Sequence, residues 1–494
     1  MTDMRSAAIL LFLSLSLAQS ATVGLVDFKV TAAKPSTQDC FNRAVAMLHS
    51  FWFEEAREQF EACAAAEPDF QMAWWGVAMT HNHSLWNRVW PEEARAALAK
   101  IPSIDKLTDK LTAKERAFIN AVKLLYGKGN KREREQAYST AMSKIYRAYP
   151  DDLEAATFYS LSLIAIQKRM QAGAIALDIY GKQPEHPGAA HYIIHAFDDP
   201  EHAILALPAA RRYATIAPEA HHARHMPAHI FLQLGMWPET IRSNEESWAA
   251  SVAWQTRKNL SLSLRDYHSQ YWLAYAYLQM GRTEDAWKVW QSKRQDIIDS
   301  KGDGDVYRYW ADLGALLVVE TNSWARAKEV FQDPVTIRRA SGDAHAHTPS
   351  GAAKALEGFT RGWAAAQAGD DIAPWVDLIE QARLVAVQKD QTVQAARFEA
   401  QQLMIKAVAA RKAGNLEEAL NILSKASILE EKDTMVSGPP DIIKPTHELA
   451  GEILLELGRK PEAILKFQKA LERQPYRRAS VEGLTRAGVL VENR

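Results

Sequence analysis

The stretch His447–Pro475, HELAGEILLELGRKPEAILKFQKALERQP, reads as two helices joined by a tight turn. Apolar residues recur at helical spacing on both sides of Gly458, and nothing alternates like a strand. Gly451, Ala463 and Ala470 are small where two helices must touch, and Phe467 is the bulky filler. Gly458 ends the first helix and Pro475 closes the unit. Residues 41–69, FNRAVAMLHSFWFEEAREQFEACAAAEPD, repeat the pattern with Ala44, Ala56, Phe60 and Pro68 in matching places. Between these ends, further units open at residues 72, 112, 154, 189, 222 and 267. Weaker ones start near Tyr307, Ala352 and Ala395, and a helix after Arg478 caps the series.

These units resemble tetratricopeptide repeats. The resemblance implies an all-α fold, a right-handed superhelical solenoid of about ten to eleven helix pairs. Connections rich in Gly, Asp and Pro, such as SKGDGD at 300–305, suggest two lobes, residues 37–300 and 305–494, the second ending in the capping helix. They are not read as independent domains.

Residues 1–20 have the form of a secretory signal: Arg5, an apolar run from Ala7 to Leu17, then Ala18-Gln19-Ser20 as a small-x-small cleavage site. The expectation is a periplasmic or secreted protein with no stable membrane span, the apolar run being too short for one. A formal net charge of −1 argues against nucleic-acid binding, which needs a basic face. The two cysteines, Cys40 and Cys63, fall on the two helices of the first unit, where a disulfide and a pair of buried thiols are both open readings.

Histidine is the functional signal. His191 and His195 stand four apart, and His225 and His229 repeat that spacing 34 residues later. Four residues is about one helical turn, so each pair stacks on one helix face, and 34 residues is one tetratricopeptide period. Compared by register, His222 and His268 join the same inner-wall stripe, with Tyr159, Tyr271 and Tyr275 in equivalent slots around them. His221 falls one residue off the stripe. The six histidines 191, 195, 222, 225, 229 and 268 are expected to form a transition-metal site in the groove, as two triads of a binuclear centre. The absence of a nearby thiolate argues against structural zinc of the finger type, and the paired triads make copper the first expectation, then iron or zinc. Asp198 is a candidate for orienting an imidazole, as are Asp199, Glu154, Glu219 and Asp266. A polar surface for peptide or anion, and ordinary packing, are the alternatives. His81, His83, His345 and His347 read as solvated loop residues.

The phrases FWFEEAREQFEACAAAEPDFQMAWWGVAM, HYIIHAFDDP, HMPAHIFLQLGMW and GPPDIIKPTHELAGEILLELGR also resemble a bacterial family of large exported tetratricopeptide proteins. HMPAHIF, containing His225 and His229, is the specific one. The resemblance implies fold and export and carries no activity. The expected function is a metal-dependent oxidoreductase acting on a small molecule or peptide in the groove. The competing readings are a metal-free scaffold that binds a protein partner through an extended peptide, and a periplasmic metal carrier.

Overall fold

A computed structural model describes residues 22–86, 88–300, 304–331, 351–434 and 436–490. The segment read as an export signal and the His345/His347 loop lie outside them. The described residues form 23 helices and one two-stranded hairpin, an all-α solenoid. The first pair is α1 (Pro35–His49) and α2 (Phe53–Ala66). Then come α3 (Gln71–Met79) with α4 (Pro91–Ala99), α5 (Ala113–Leu125) with α6 (Lys131–Ala148), and α7 (Leu153–Ala165) with α8 (Arg169–Lys182). Next are α9 (Pro187–Ala196) with α10 (Ala203–Ile216), α11 (His221–His225) and α12 (Pro227–Gln233) with α13 (Trp237–Lys258), and α14 (Tyr267–Gln279) with α15 (Thr283–Asp299). The C-terminal part holds α16 (Gly304–Glu320), α17 (Gly351–Ala368) with α18 (Ala373–Gln388), α19 (Thr392–Lys412) with α20 (Leu416–Glu430), α21 (Thr446–Glu456) with α22 (Lys460–Arg473), and the cap α23 (Arg478–Ala487).

The small residues in the repeat permit helix contact. A Cβ on Gly76 would lie 2.3 Å from the Phe60 ring, and one on Gly451 2.8 Å from Phe467. The same filler-on-glycine contact thus recurs at both ends of the chain. Cys40 and Cys63 are bonded to each other, tying α1 to α2.

Contacts between distant units close the superhelix. Trp254 Nε1 on α13 donates to Glu55 on α2 at 2.8 Å, and Lys258 pairs with Glu55 and Glu58. At the other end the buried Arg477 guanidinium holds both Glu448, at 2.7 Å, and Glu320, at 2.7 Å. Two main hydrophobic cores result, and they meet around residues 228–254, while Ile297 and Val306 share the second one. The six-histidine stripe crosses that meeting point.

The hollow of the first four pairs is filled by the chain itself. Residues 22–34 run through it extended, with Phe28 fully buried against Phe41, Trp75, Phe118 and Phe158 of α1, α3, α5 and α7. Side chains read this arm's backbone: Phe28 N donates to Asn42, Val30 N to Gln38 and Thr31 N to Glu115. Each bond answers a polar group that burial would otherwise strand. Truncating Phe28 to Ala leaves a cavity at the convergence of four helices. The expected cost is about 3–5 kcal/mol in urea unfolding, and a loss under about 1 kcal/mol would show that the arm does not carry the core.

Candidate metal centre

Pro187 starts α9 at its first position, and His186 caps it by accepting the Ala189 N–H. His191 and His195 then stack one turn apart, ring centroids 4.7 Å from each other. In the next unit Pro227 splits the first helix into α11 and α12, because proline cannot donate a backbone N–H. His225 ends α11 and His229 lies on α12, their rings 4.9 Å apart across the break. His268 enters from the first turn of α14.

The six rings sort into two groups of three. His191, His195 and His222 can each offer a nitrogen such that all three atoms lie within 4.8 Å of one another. His225, His229 and His268 form a second set on the same terms. In each, an i,i+4 pair from one unit is completed by a histidine from the next. The groups adjoin: His195 and His229 are 6.1 Å apart between centroids, and His222 and His225 6.3 Å.

Hydrogen bonds assign the tautomers. His191 Nδ1 donates to the His49 carbonyl oxygen at 2.7 Å. His229 Nδ1 donates to Asp198 Oδ2 at 2.6 Å. Asn244 uses its amide N–H on the Thr240 carbonyl, so its Oδ1 accepts from His225 Nδ1 at 2.7 Å. In all three rings Nδ1 carries a proton, so in the neutral form of each ring the lone pair is on Nε2. Yet His225 Nε2 and His229 Nε2 face each other at 3.1 Å. Two acceptors cannot bond to each other at that distance. A cation held between them, a proton or a metal ion, would satisfy both. His191 Nε2 likewise lies 3.2 Å from His222 Nε2, and His195 Nε2 is buried with no hydrogen-bond partner.

A third cluster, His49, Glu154 and His186, is equally compact and wholly buried, but its protons lie differently. His186 Nδ1 accepts the Ala189 N–H, so its proton is on Nε2 and goes to Glu154 at 2.8 Å. His49 Nε2 meets the other carboxylate oxygen at 2.8 Å, and Tyr192 OH its Nδ1 at 2.8 Å. Every group has a partner, which describes a hydrogen-bonded anion rather than an ion cage. Burial alone would raise the Glu154 carboxyl, but His186 and His49 hold it below its ordinary value. The network sits behind the first triad and fixes the residue whose carbonyl holds His191.

Aromatic rings wall the triads. Phe51 lies 4.4 Å from His191 and stacks on His222 at 5.6 Å, and Trp86 stands edge-on to His222 at 5.2 Å. Trp272 closes the second triad, 5.1 Å from His225 and 4.3 Å from His229. Phe51 holds a left-handed backbone (φ 53°) in the turn slot that glycine fills at 235, 281 and 458. A bulky residue there is strained, by about 1–2 kcal/mol, and its ring gains the contact with the imidazoles. Trp86 belongs to the hairpin of β1 (Asn82–His83) and β2 (Arg88–Val89), and His83 stacks on Phe53 at 3.6 Å instead of facing solvent. His191 and His225 are fully buried, while His268 is exposed, so the centre opens to the groove on the α14 side.

The three tyrosines fall elsewhere. Tyr159 stacks on Tyr146 at 5.4 Å, and Tyr275 is edge-on to Trp237 at 6.1 Å. Tyr271 faces the Asp312, Asp441 and Glu320 side. Tyr275 is seven residues past His268, about 10 Å further along its helix. The break at Pro227 uncouples the slots of that unit from those of its neighbours. Asp198 bonds to a ring of the centre, Asp199 pairs with His202, and Asp266, held by Ser247 and Ser269, acts on His225 and His268 through its charge. His221 stacks near Trp254 at 5.6 Å, away from the triads.

No protein-family model matches the chain. No curated protein matches it in sequence. Among solved structures it resembles the APC/C hetero-tetramer Cut9–Hcn1, at 15% identity over 93% of this chain and 77% of that one, with a TM-score of 0.35. It also resembles Naa15/Naa10 bound to HypK-THB, at 13% identity over 87% and 62%, TM-score 0.25. The P58(IPK) TPR domain follows at 14% identity over 92% and 97%, TM-score 0.21. The likeness is one of helical repeats.

Burial pushes His191 down to about 3, and His195, His222 and His225 well below their ordinary value, with neighbouring imidazoles adding to the effect. The folded metal-free chain keeps these rings neutral where the unfolded chain takes up protons. Their stabilisation is therefore full above about pH 6.5 and is lost as pH falls toward 3. Between pH 6.5 and 5, above the carboxylate range, unfolding free energy should drop by up to about 1.4 kcal/mol per pH unit for each ring. A pH-independent urea midpoint in that window would contradict the burial of neutral imidazoles.

Proposed function

We propose that the two triads hold a binuclear copper centre and that the protein is an exported metal-dependent oxidoreductase acting on a small molecule. The facing Nε2 lone pairs of His225 and His229, with both Nδ1 protons spoken for, carry the reading. Three imidazoles per ion leave each an open position, the arrangement of a reactive rather than a structural site. The carboxylates near the rings are engaged from behind: Asp198 on His229, Asp266 on two serines and Glu154 on His49. An all-imidazole set without a bridging carboxylate suits copper better than iron or zinc.

A pair of copper ions would supply two-electron exchange between an organic substrate and dioxygen. The chain's own residues do the rest. Asp198, Asn244 and the His49 carbonyl orient the rings and raise their basicity as ligands. Phe51, Trp86 and Trp272 exclude water from the inner side. The exposed edge at His268 admits substrate. A disulfide between Cys40 and Cys63 suits an oxidising compartment, in keeping with the signal-like N-terminus and the resemblance to an exported family.

The scaffold reading meets an obstacle in the first four pairs, where the arm at 22–34 already occupies the hollow a partner peptide would need. The carrier reading shares the triads and differs only in lacking turnover. Wild-type protein loaded with copper should bind two ions per chain and take up dioxygen with a reducing organic substrate. His225→Ala should lose copper from its triad and all oxygen uptake. Copper bound without oxygen uptake for any of a panel of phenols, thiols and amines would favour the carrier, and undiminished copper in His225→Ala would refute the site.

A further inference from the structure

The two triads share a ligand pattern but not their surroundings. His229 of the second triad donates to a carboxylate, Asp198, only 4% exposed. That carboxylate is itself aimed by Gln233, whose amide reaches Asp198 Oδ1 at 3.4 Å and the Val436 carbonyl at 3.3 Å. A second anion, Asp266, stands against His225 and His268, fixed by Ser247 Oγ at 2.6 Å and Ser269 N at 3.1 Å. Arg308 opposes them near His268, leaving two carboxylates against one guanidinium.

The first triad has the reverse setting. His191 donates to a neutral backbone carbonyl, that of His49. The Arg169 guanidinium binds the His195 carbonyl at 3.0 and 2.6 Å and also the Asp198 carbonyl at 3.1 Å, so its positive charge lies between the two triads and supplies the first with no anion. Phe51 and Tyr213 cover His191 with apolar surface, 4.4 and 5.2 Å away. Among the described residues no carboxylate bonds to a ring of this triad, and the buried Glu154 behind it is engaged by His49 and His186. Coulomb interaction scales with ion charge and is little screened for buried groups, so this difference acts most on a divalent ion and least on a monovalent one.

We infer that the two metal positions are unequal: Asp198, as a positioning residue, makes the His225–His229–His268 position the tighter one for divalent cations, and the His191–His195–His222 position is the weaker. This rests on the binuclear reading, from which its test is separable. Full-length metal-free protein is titrated with Zn(II), and separately with Cu(I) against a competing chelator. The expected result for Zn(II) is two equivalents whose affinities differ by at least about tenfold, with a smaller gap for Cu(I). His225→Ala should remove the tighter event and His191→Ala the weaker. Asp198→Asn should weaken the tighter event by about 10–100-fold, the usual effect of losing an outer-shell partner, and leave the weaker unchanged. Two zinc events of equal affinity, or a tighter event that survives in His225→Ala, would overturn the inference while leaving the binuclear centre standing. The two histidine variants give this comparison even if Asp198→Asn fails to fold. Absence of any metal binding would contradict both.

Discussion

Two nitrogen lone pairs pointed at each other across 3.1 Å, at His225 and His229, are the constraint from which the reading of this protein follows. The outer nitrogens of both rings are committed to acceptors, Asn244 and Asp198, so with both rings neutral neither inner nitrogen has a proton to share. Left alone, such a pair is an uncompensated burial of polar atoms, costing on the order of 1–3 kcal/mol for each group. Natural cores avoid that arrangement unless something positive sits in it.

The solenoid brings this about by stacking first helices side by side. Each i,i+4 pair lies on one inner helix, and the neighbouring unit supplies the third ring. The break at Pro227 separates His225 from the turn that carries His229, which lets both face one point. The triads lie where the two apolar cores meet, so a polar cluster interrupts the stack without opening a hole in either core. The Lys258–Glu58 and Arg477–Glu448 contacts close the turns on either side of that junction. The N-terminal arm reaches the same place from behind, through Phe28, Phe158 and the His49 ring.

Much of this was legible in the chain. Helical periodicity, small residues at Ala44, Ala56 and Gly451 and the fillers Phe60 and Phe467 point to helix pairs, because close approach leaves few residue choices. The histidine spacing points to the six rings, because helical geometry and repeat length both apply to it. What failed to show is what depends on distant partners. His49 and His186 are separated by more than a hundred residues and have no spacing to betray them. Phe51 looks like one more core aromatic until its left-handed backbone is seen in a glycine slot. Tyr271 and Tyr275 were placed by assuming that their unit keeps the register of the one before it, which the break at Pro227 is enough to undo. The arm, TVGLVDFKVTAAK, mixes aliphatic and polar residues with Phe28 as its one aromatic, and carries no repeat signature.

The most direct measurement is anomalous diffraction at the copper edge from crystals of the copper-loaded chain. Two peaks are expected, one bound by the Nε2 atoms of His225 and His229 together with His268, the other by His191, His195 and His222. A map with no peak at either triad, and with the His225 and His229 rings turned so that one donates to the other, would contradict the account.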